Sequence, residues 1–255
     1  MRKISETVFA LVDCETTGKD PKTAELVEVA AVLIDGRGVI YDRIESFCRP
    51  TKPIPPDVMS VHNITNRDVA NAPDRATVDE QLRAFIPAEA TMVAHFAQYD
   101  RAVLEPGIGV RPWICTQRLA HHLMPDALNF KLGTLRYVLS EDPIDTEGLA
   151  AHRALADVLV LKFVFRVLIE AWAIRCMDAH EPFDDLGALL ALAASPYEIR
   201  RFPFGKHRGA LLANIPAEYF DWALRNMTDI DADLRWNIER ELERRDGRRL
   251  IGAVS

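Results

Sequence analysis

The chain has 255 residues, 49% of them apolar and 27% charged, which is enough for one large domain or for a medium domain with a small companion. It has no uninterrupted apolar run of about eighteen residues and its first six residues are polar, so we expect neither a membrane span nor a signal peptide. The formal net charge of −7 argues against a protein that holds a polyanion by charge alone. The imbalance is uneven: 11 Lys and Arg stand against 10 Asp and Glu from Ser195 onward, and 20 against 28 before it. The first part therefore either avoids polyanions or recruits cations to meet them.

In chain order, residues 8–12 are a short apolar run ending in Asp13, the pattern of a buried strand. Residues 26–34 read as a second strand closed by the turn pair Asp35-Gly36, and residues 39–47 as its hairpin partner. A Pro-rich loop follows at residues 53–56, and Thr65 with Asp68 matches a variant capping box. Residues 92–94 and 113–115 read as short strands. Asn129 is placed to cap a helix carrying Leu132, Leu135 and Leu139, and a long helix is expected over residues 153–175. Residues 179–196 read as a linker containing a small apolar helix at 186–194. A second unit opens with Phe202-Pro203-Phe204-Gly205-Lys206-His207-Arg208-Gly209, in which two glycines flank a basic tip and predict a tight hairpin, and helices near 217–225 and 232–245 close the chain. The four cysteines, Cys14, Cys48, Cys115 and Cys176, are scattered and form no metal-type pair, which points to reduced thiols and a cytoplasmic protein.

Several carboxylates stand where carboxylates are costly. Asp13 and Glu15 follow an apolar strand at the spacing that puts both on one face. Either the strand has ended and both are solvated, or a cation lies between them. In the helix around Asp157, residues Lys162, Arg166 and Glu170 form one polar stripe, and Asp157 lies about 140–220° away from it. An inward carboxylate needs a partner, either Arg153 one turn earlier or a metal ion. His152 shares a site with Asp157 only if it sits in the loop before the helix begins. Asp100, in the first turn after the strand ending at Ala94, is either a partner for the helix dipole or a third acid delivered to the strand ends, where ligands of open α/β sheets gather.

Three motifs in order carry a family resemblance: Asp13-Cys14-Glu15-Thr16-Thr17-Gly18, His95-Phe96-Ala97-Gln98-Tyr99-Asp100, and His152-Arg153-Ala154-Leu155-Ala156-Asp157. With Val61-His62-Asn63-Ile64-Thr65 they resemble the DEDDh, or DnaQ-like, family of 3′→5′ exonucleases. The tyrosine subclass has Tyr where this chain has Arg153, so the histidine subclass fits. One departure is Phe96, where the family usually has Asn. Pro112-Trp113-Ile114-Cys115-Thr116 and the Phe204–Gly209 stretch resemble the exodeoxyribonuclease X group within that family, which also carries a small C-terminal module.

The resemblance implies an α/β fold, namely a ribonuclease-H-like mixed sheet flanked by helices, over residues 1–178, a linker at 179–196 and a small α+β module at 197–255. It implies hydrolysis of DNA from the 3′ end with release of 5′-mononucleotides, in DNA repair or end processing, using two Mg²⁺ ions for which Mn²⁺ substitutes. Asp13 would bridge both ions, Glu15 and Asp157 would complete the site of the attacking water, and Asp100 would serve the second ion. His152 would take a proton from the water. Thr16, Thr17 and Gly18 would meet the terminal nucleotide, and Val61, His62 and Tyr99 would line its base and sugar. Lys206, His207 and Arg208, or alternatively Arg244-Arg245 and Arg248-Arg249, would contact the DNA backbone. The rival readings are an exoribonuclease, a polymerase proofreading subunit and a non-catalytic nucleic-acid-binding module.

Overall fold

The computed structural model describes residues 2–140, 144–228 and 230–252, with backbone alone for 247–252. It divides into two compact units, residues 1–194 and 195–255.

The first unit is built on a five-stranded sheet, in the order β3-β2-β1-β4-β5. Its strands are β1 (Phe9–Thr16), β2 (Leu26–Ile34), β3 (Ile40–Phe47), β4 (Thr91–Ala94) and β5 (Trp113–Cys115). β1, β2 and β3 run antiparallel in sequence, whereas β4 pairs parallel with both β1 and β5. Strand β2 is apolar apart from Glu28 and is buried along its whole length, as a strand covered on both faces must be. β3 is polar and mostly exposed, as suits the edge. The expected turn at Asp35 is present, with the Asp35 carboxylate accepting from the amides of Arg37 and Val39.

The Pro-rich stretch runs straight into helix α1 (Pro56–His62), because Pro56 occupies a first-turn position where no amide hydrogen is needed. Thr65 and Asp68 form the expected capping box of a single helical turn, α2 (Asn66–Val69). The sequence reading assigns no element to α3 (Arg75–Phe85), although Asp74 caps it through the Thr77 amide and Val78 and Leu82 give it a buried stripe. Helices α4 (Gln98–Ile108), α5 (Thr116–Leu123) and α6 (Leu132–Leu139) follow. The cap of α6 is Lys131; Asn129 instead accepts the Lys131 amide in a turn before the helix.

Helix α7 (Ala154–Asp178) is the long helix and packs on β1 and β2. Helix α8 (Leu186–Ala194) falls within the stretch read as a linker, yet it buries Leu186, Leu189 and Ala193 in the same apolar cluster as Phe9, Val93 and Phe165. Each buried leucine contributes about 1.5–3 kcal/mol. Asp184, just before α8, accepts from the Ser5 amide at 2.8 Å and the Ser5 hydroxyl at 2.6 Å, so the start of the helix is anchored as well as its apolar face.

The second unit contains α9 (Ala217–Asn226) and α10 (Ala232–Gly252) around Phe202, Ile215, Phe220, Leu234 and Ile238. The hairpin expected near its start is closed by one bridge, Arg201 to Leu211, and its tip is a 3₁₀ turn over Gly205–His207. Among the described residues no helix is long and apolar enough to cross a membrane.

Candidate active site

Strand alternation places the first two acids. Phe9 and Leu11 enter the apolar cluster shared with α7, whereas Ala10, Val12 and Cys14 enter the one shared with α3 and α4. Asp13 and Glu15 continue the odd-numbered series and therefore leave the sheet on the α7 side. They remain within β1, so the reading in which the strand has already ended does not hold.

Helix α7 supplies Asp157 from its first turn, where the helix dipole favours an anion. His152 lies outside the helix in the left-handed region (φ 61°), and its amide donates to the Asp157 carboxylate at 3.2 Å. Potential ligand atoms of Glu15, His152 and Asp157 all lie within 4.8 Å of one another. Asp100 arrives from the opposite face of the sheet, in the first turn of α4, buried and accepting the Cys14 thiol at 3.2 Å.

The electrostatics of this cluster are one-sided. Burial raises the Asp13 carboxyl well above its ordinary value, and Asp100, Asp157, Glu15 and Glu28 all push the same way. Burial with the negative charges of Asp157, Glu28 and Asp100 lifts Glu15 to about 8, against a smaller opposing effect of Arg153. Burial lifts Asp100 to about 7 despite the Cys14 thiol and backbone amides that favour its ionised form. Asp157 is also raised by burial, with His152 opposing. As arranged, these groups cannot all ionise without added positive charge.

Two contributors escaped the sequence reading. Glu28 lies opposite Glu15 in the β1–β2 register. It accepts Arg153 through Nη2 at 2.6 Å and Nε at 3.0 Å, and the Ala154 amide at 2.9 Å. Arg153, the alternative partner for Asp157, is thus committed to Glu28. A lone acid in the apolar run of β2 was the signal that could have disclosed it. The other is Cys14, expected only as a reduced thiol on the face away from Asp13 and Glu15, whose thiol donates to Asp100.

The remaining positions surround this cluster in different ways. The Tyr99 hydroxyl donates to the Gly18 carbonyl and meets the Thr16 hydroxyl, tying the turn after β1 to α4. Thr17 is held by reciprocal bonds with Glu25. A Cβ on Gly18 would meet nothing closer than Ala24 at 3.9 Å, so the fold itself does not demand glycine there. Val61 is exposed, whereas His62 is buried and its Nδ1 accepts the Ile64 amide at 3.0 Å. His95 bridges Thr116 Oγ1 at 2.9 Å and the Phe130 carbonyl at 2.8 Å, joining the end of β4 to α5 and to the segment before α6. Phe96 occupies the left-handed region (φ 59°) and is 44% exposed.

In the second unit Lys206 and Arg208 are exposed. Arg244 and Arg245 are both paired with Glu241, and Arg245 also donates to the Ile215 and Leu212 carbonyls, so that pair is engaged in holding the unit together. The side chains of Arg248 and Arg249 lie outside the described residues.

A family model described as Exonuclease, the RNase T family, matches residues 11–165, a span that contains all four acids and His152. The chain belongs to this exonuclease family. Exodeoxyribonuclease 10 of Escherichia coli K12 is 30% identical over 242 residues, covering 92% of this exonuclease and 99% of that protein. DNA polymerase III PolC-type of Bacillus cereus is 29% identical over 193 residues, which is 72% of this exonuclease but 13% of the polymerase. Among solved structures, exonuclease X in complex with 5′ overhanging duplex DNA superposes with a TM-score of 0.54 at 29% identity, covering 65% of this exonuclease and 93% of that chain. Escherichia coli exonuclease I in complex with a dT13 oligonucleotide shares the fold, with a TM-score of 0.57 at 16% identity over 68% of this exonuclease and 43% of that chain.

This exonuclease is thus a phosphodiester hydrolase on a ribonuclease-H-like fold. Its family works with divalent cations, and the carboxylate cluster fits one. Hard oxygen ligands are what Mg²⁺ and similar ions prefer, and the buried acids lack the positive charge that ionisation requires.

Proposed function

We propose that this exonuclease uses Mg²⁺ to remove 5′-mononucleotides from the 3′ end of DNA. The observation that carries the proposal is the gathering of Glu15, His152 and Asp157 within 4.8 Å of one another, which Asp13 and Asp100 join electrostatically, since the charges of Asp100, Asp157 and Glu15 all raise the Asp13 carboxyl. The full-length similarity to an exodeoxyribonuclease supports DNA over RNA as substrate. The intact set of acids supports an enzyme over a binding module.

In this reading Asp13, Glu15, Asp100 and Asp157 hold two Mg²⁺ ions, with Mn²⁺ as a substitute. When bound, the ions supply positive charge at the scissile phosphate and at the oxygens that attack and leave. The chain's own groups do the rest. His152 is exposed and close to Glu15 and Asp157, and its imidazole accepts a proton from the incoming water. The Asp157 carboxylate and the Glu28–Arg153 pair hold the His152 loop at the mouth of the helix. Thr16, Thr17 and Gly18 receive the terminal nucleotide, and the room at Gly18 supports close approach of substrate. Val61 and Tyr99 frame its base and sugar, the buried His62 backing them instead of meeting the nucleotide, and Lys206, His207 and Arg208 contact the backbone farther along the strand.

The test compares matched single- and double-stranded DNA and RNA, with free or blocked 3′ ends, in Mg²⁺ and in chelator. Release of mononucleotides from DNA with free 3′ ends, only with the cation present, is expected. Asp13→Ala should lower the rate by about a thousandfold or more, since several kcal/mol of charge stabilisation depends on the site. Equal cleavage of blocked ends, or an undiminished rate in Asp13→Ala, overturns the reading.

A further inference from the structure

Beside its core the C-terminal unit carries an accessible cluster of aromatic and basic side chains. Helix α9 buries Phe220 and Ala223 in that core, yet Trp222, on the neighbouring face, is 49% exposed. Tyr219 lies one turn before Trp222, with ring centroids 5.6 Å apart and planes inclined by 33°. The Tyr219 hydroxyl reaches the Met227 sulfur at 3.9 Å, which fixes the ring.

The 3₁₀ turn Gly205–His207 is folded onto these rings instead of projecting into solvent. The Lys206 ammonium sits 4.9 Å from the Tyr219 centroid, and the His207 ring meets Tyr219 edge-on at 4.3 Å. Together Lys206, His207, Pro216, Tyr219, Trp222 and Met227 line a groove of about 730 Å³. Of the charged side chains that line it, Lys206 is cationic and Glu218 is anionic, and the exposed Arg208 follows His207 in the chain.

We infer that this groove is a binding site for single-stranded nucleic acid, in which an unpaired base stacks on Trp222 and its phosphate lies on the Lys206 and Arg208 side. An accessible indole beside a second aromatic ring and the Lys206 ammonium suits a base with its phosphate, whatever the identity of that base. Glu218 directs the phosphate away from its own end of the groove. A Pro-rich peptide also uses aromatic grooves but gains nothing from the lysine. The inference rests on the proposed nucleolytic function and deepens it, by making the second unit a holder of unpaired strand in addition to the backbone contacts proposed above.

The experiment measures binding by the full chain carrying Asp13→Asn, which keeps the probe intact. The probes are an oligothymidylate of about ten nucleotides, within the range of known single-strand sites, and an abasic oligomer of equal length. Trp222→Ala should weaken oligothymidylate binding about fivefold or more and leave abasic binding unchanged, whereas Trp222→Phe should restore most of the affinity. Lys206→Ala should weaken both oligomers and reduce the salt dependence. Unchanged oligothymidylate affinity in Trp222→Ala, equal losses with both oligomers, or a groove that binds a Pro-rich peptide in preference to DNA each overturns the inference. Cleavage of a dinucleotide by the wild-type chain with Mg²⁺ tests the nuclease reading separately. Failure there leaves the binding comparison to decide the groove.

Discussion

His152 and Phe96 are both held in the left-handed region, and neither is a glycine. For His152 the conformation ends the loop and turns the chain into α7, while its amide binds Asp157. A general base contributes about 10²–10⁴ in rate, so His152→Ala should lower kcat by that factor with little change in KM. A variant whose KM rises while kcat holds would mean that the imidazole binds substrate instead. Phe96 is the more strained of the two, since bulky side chains rarely adopt positive φ whereas Asn does so readily. The usual residue of the family, Asn, suits this backbone. We therefore expect Phe96→Asn to raise stability by about 1 kcal/mol, a shift of about 2–4 °C in Tm for a protein of this size. A lower Tm would show that packing of the half-buried ring outweighs the strain.

The start of α7 depends on a contact between elements distant in sequence. The Glu28 carboxylate on β2 accepts the Ala154 amide at the helix start and is itself paired with the Arg153 guanidinium. Glu28 is 5% exposed and Arg153 32% exposed in their side chains. Removing one partner of a fully buried pair costs about 3–5 kcal/mol, and the partial exposure of Arg153 reduces this. Arg153→Met should therefore cost about 2 kcal/mol, measured by denaturant titration. It should also lower kcat, because the loop carrying His152 is freed and Glu28 becomes an unpaired fifth acid beside the cluster. Full activity with intact stability in Arg153→Met would remove the pair from any positioning role.

The acidic cluster also couples the stability of the fold to pH and to cations. Glu15 rises from about 4.5 to about 8 in the folded chain, so the folded state binds its proton more tightly than the unfolded state. The stability from that proton is full below about pH 4.5 and is lost as pH climbs to about 8. Asp100, raised to about 7, acts in the same sense. Without divalent cations Tm should fall across this window. Mg²⁺ at about 100 times its Kd should return about 2.7 kcal/mol at the alkaline end, through binding to the folded state alone. A Tm that ignores both pH and Mg²⁺ would show that these acids do not share a cation.

Much of this was legible in the chain itself, because strand and helix periodicity is local. The apolar run before Asp13 set its face and that of Glu15, the polar stripe of α7 turned Asp157 inward, and the order of three acidic motifs declared the family. Long-range partnership was not legible. The Cys14 contact with Asp100 spans 86 positions and the Arg153 contact with Glu28 spans 125. Periodicity says which way a side chain faces but not what faces it. For the same reason α8 read as part of a linker although its leucines join the core under the sheet, and the basic tip at Lys206 gave no sign of the Tyr219 ring that Lys206 and His207 meet. Only the folded chain, by bringing separate segments into contact, decided which charges are paired and which are left for a ligand.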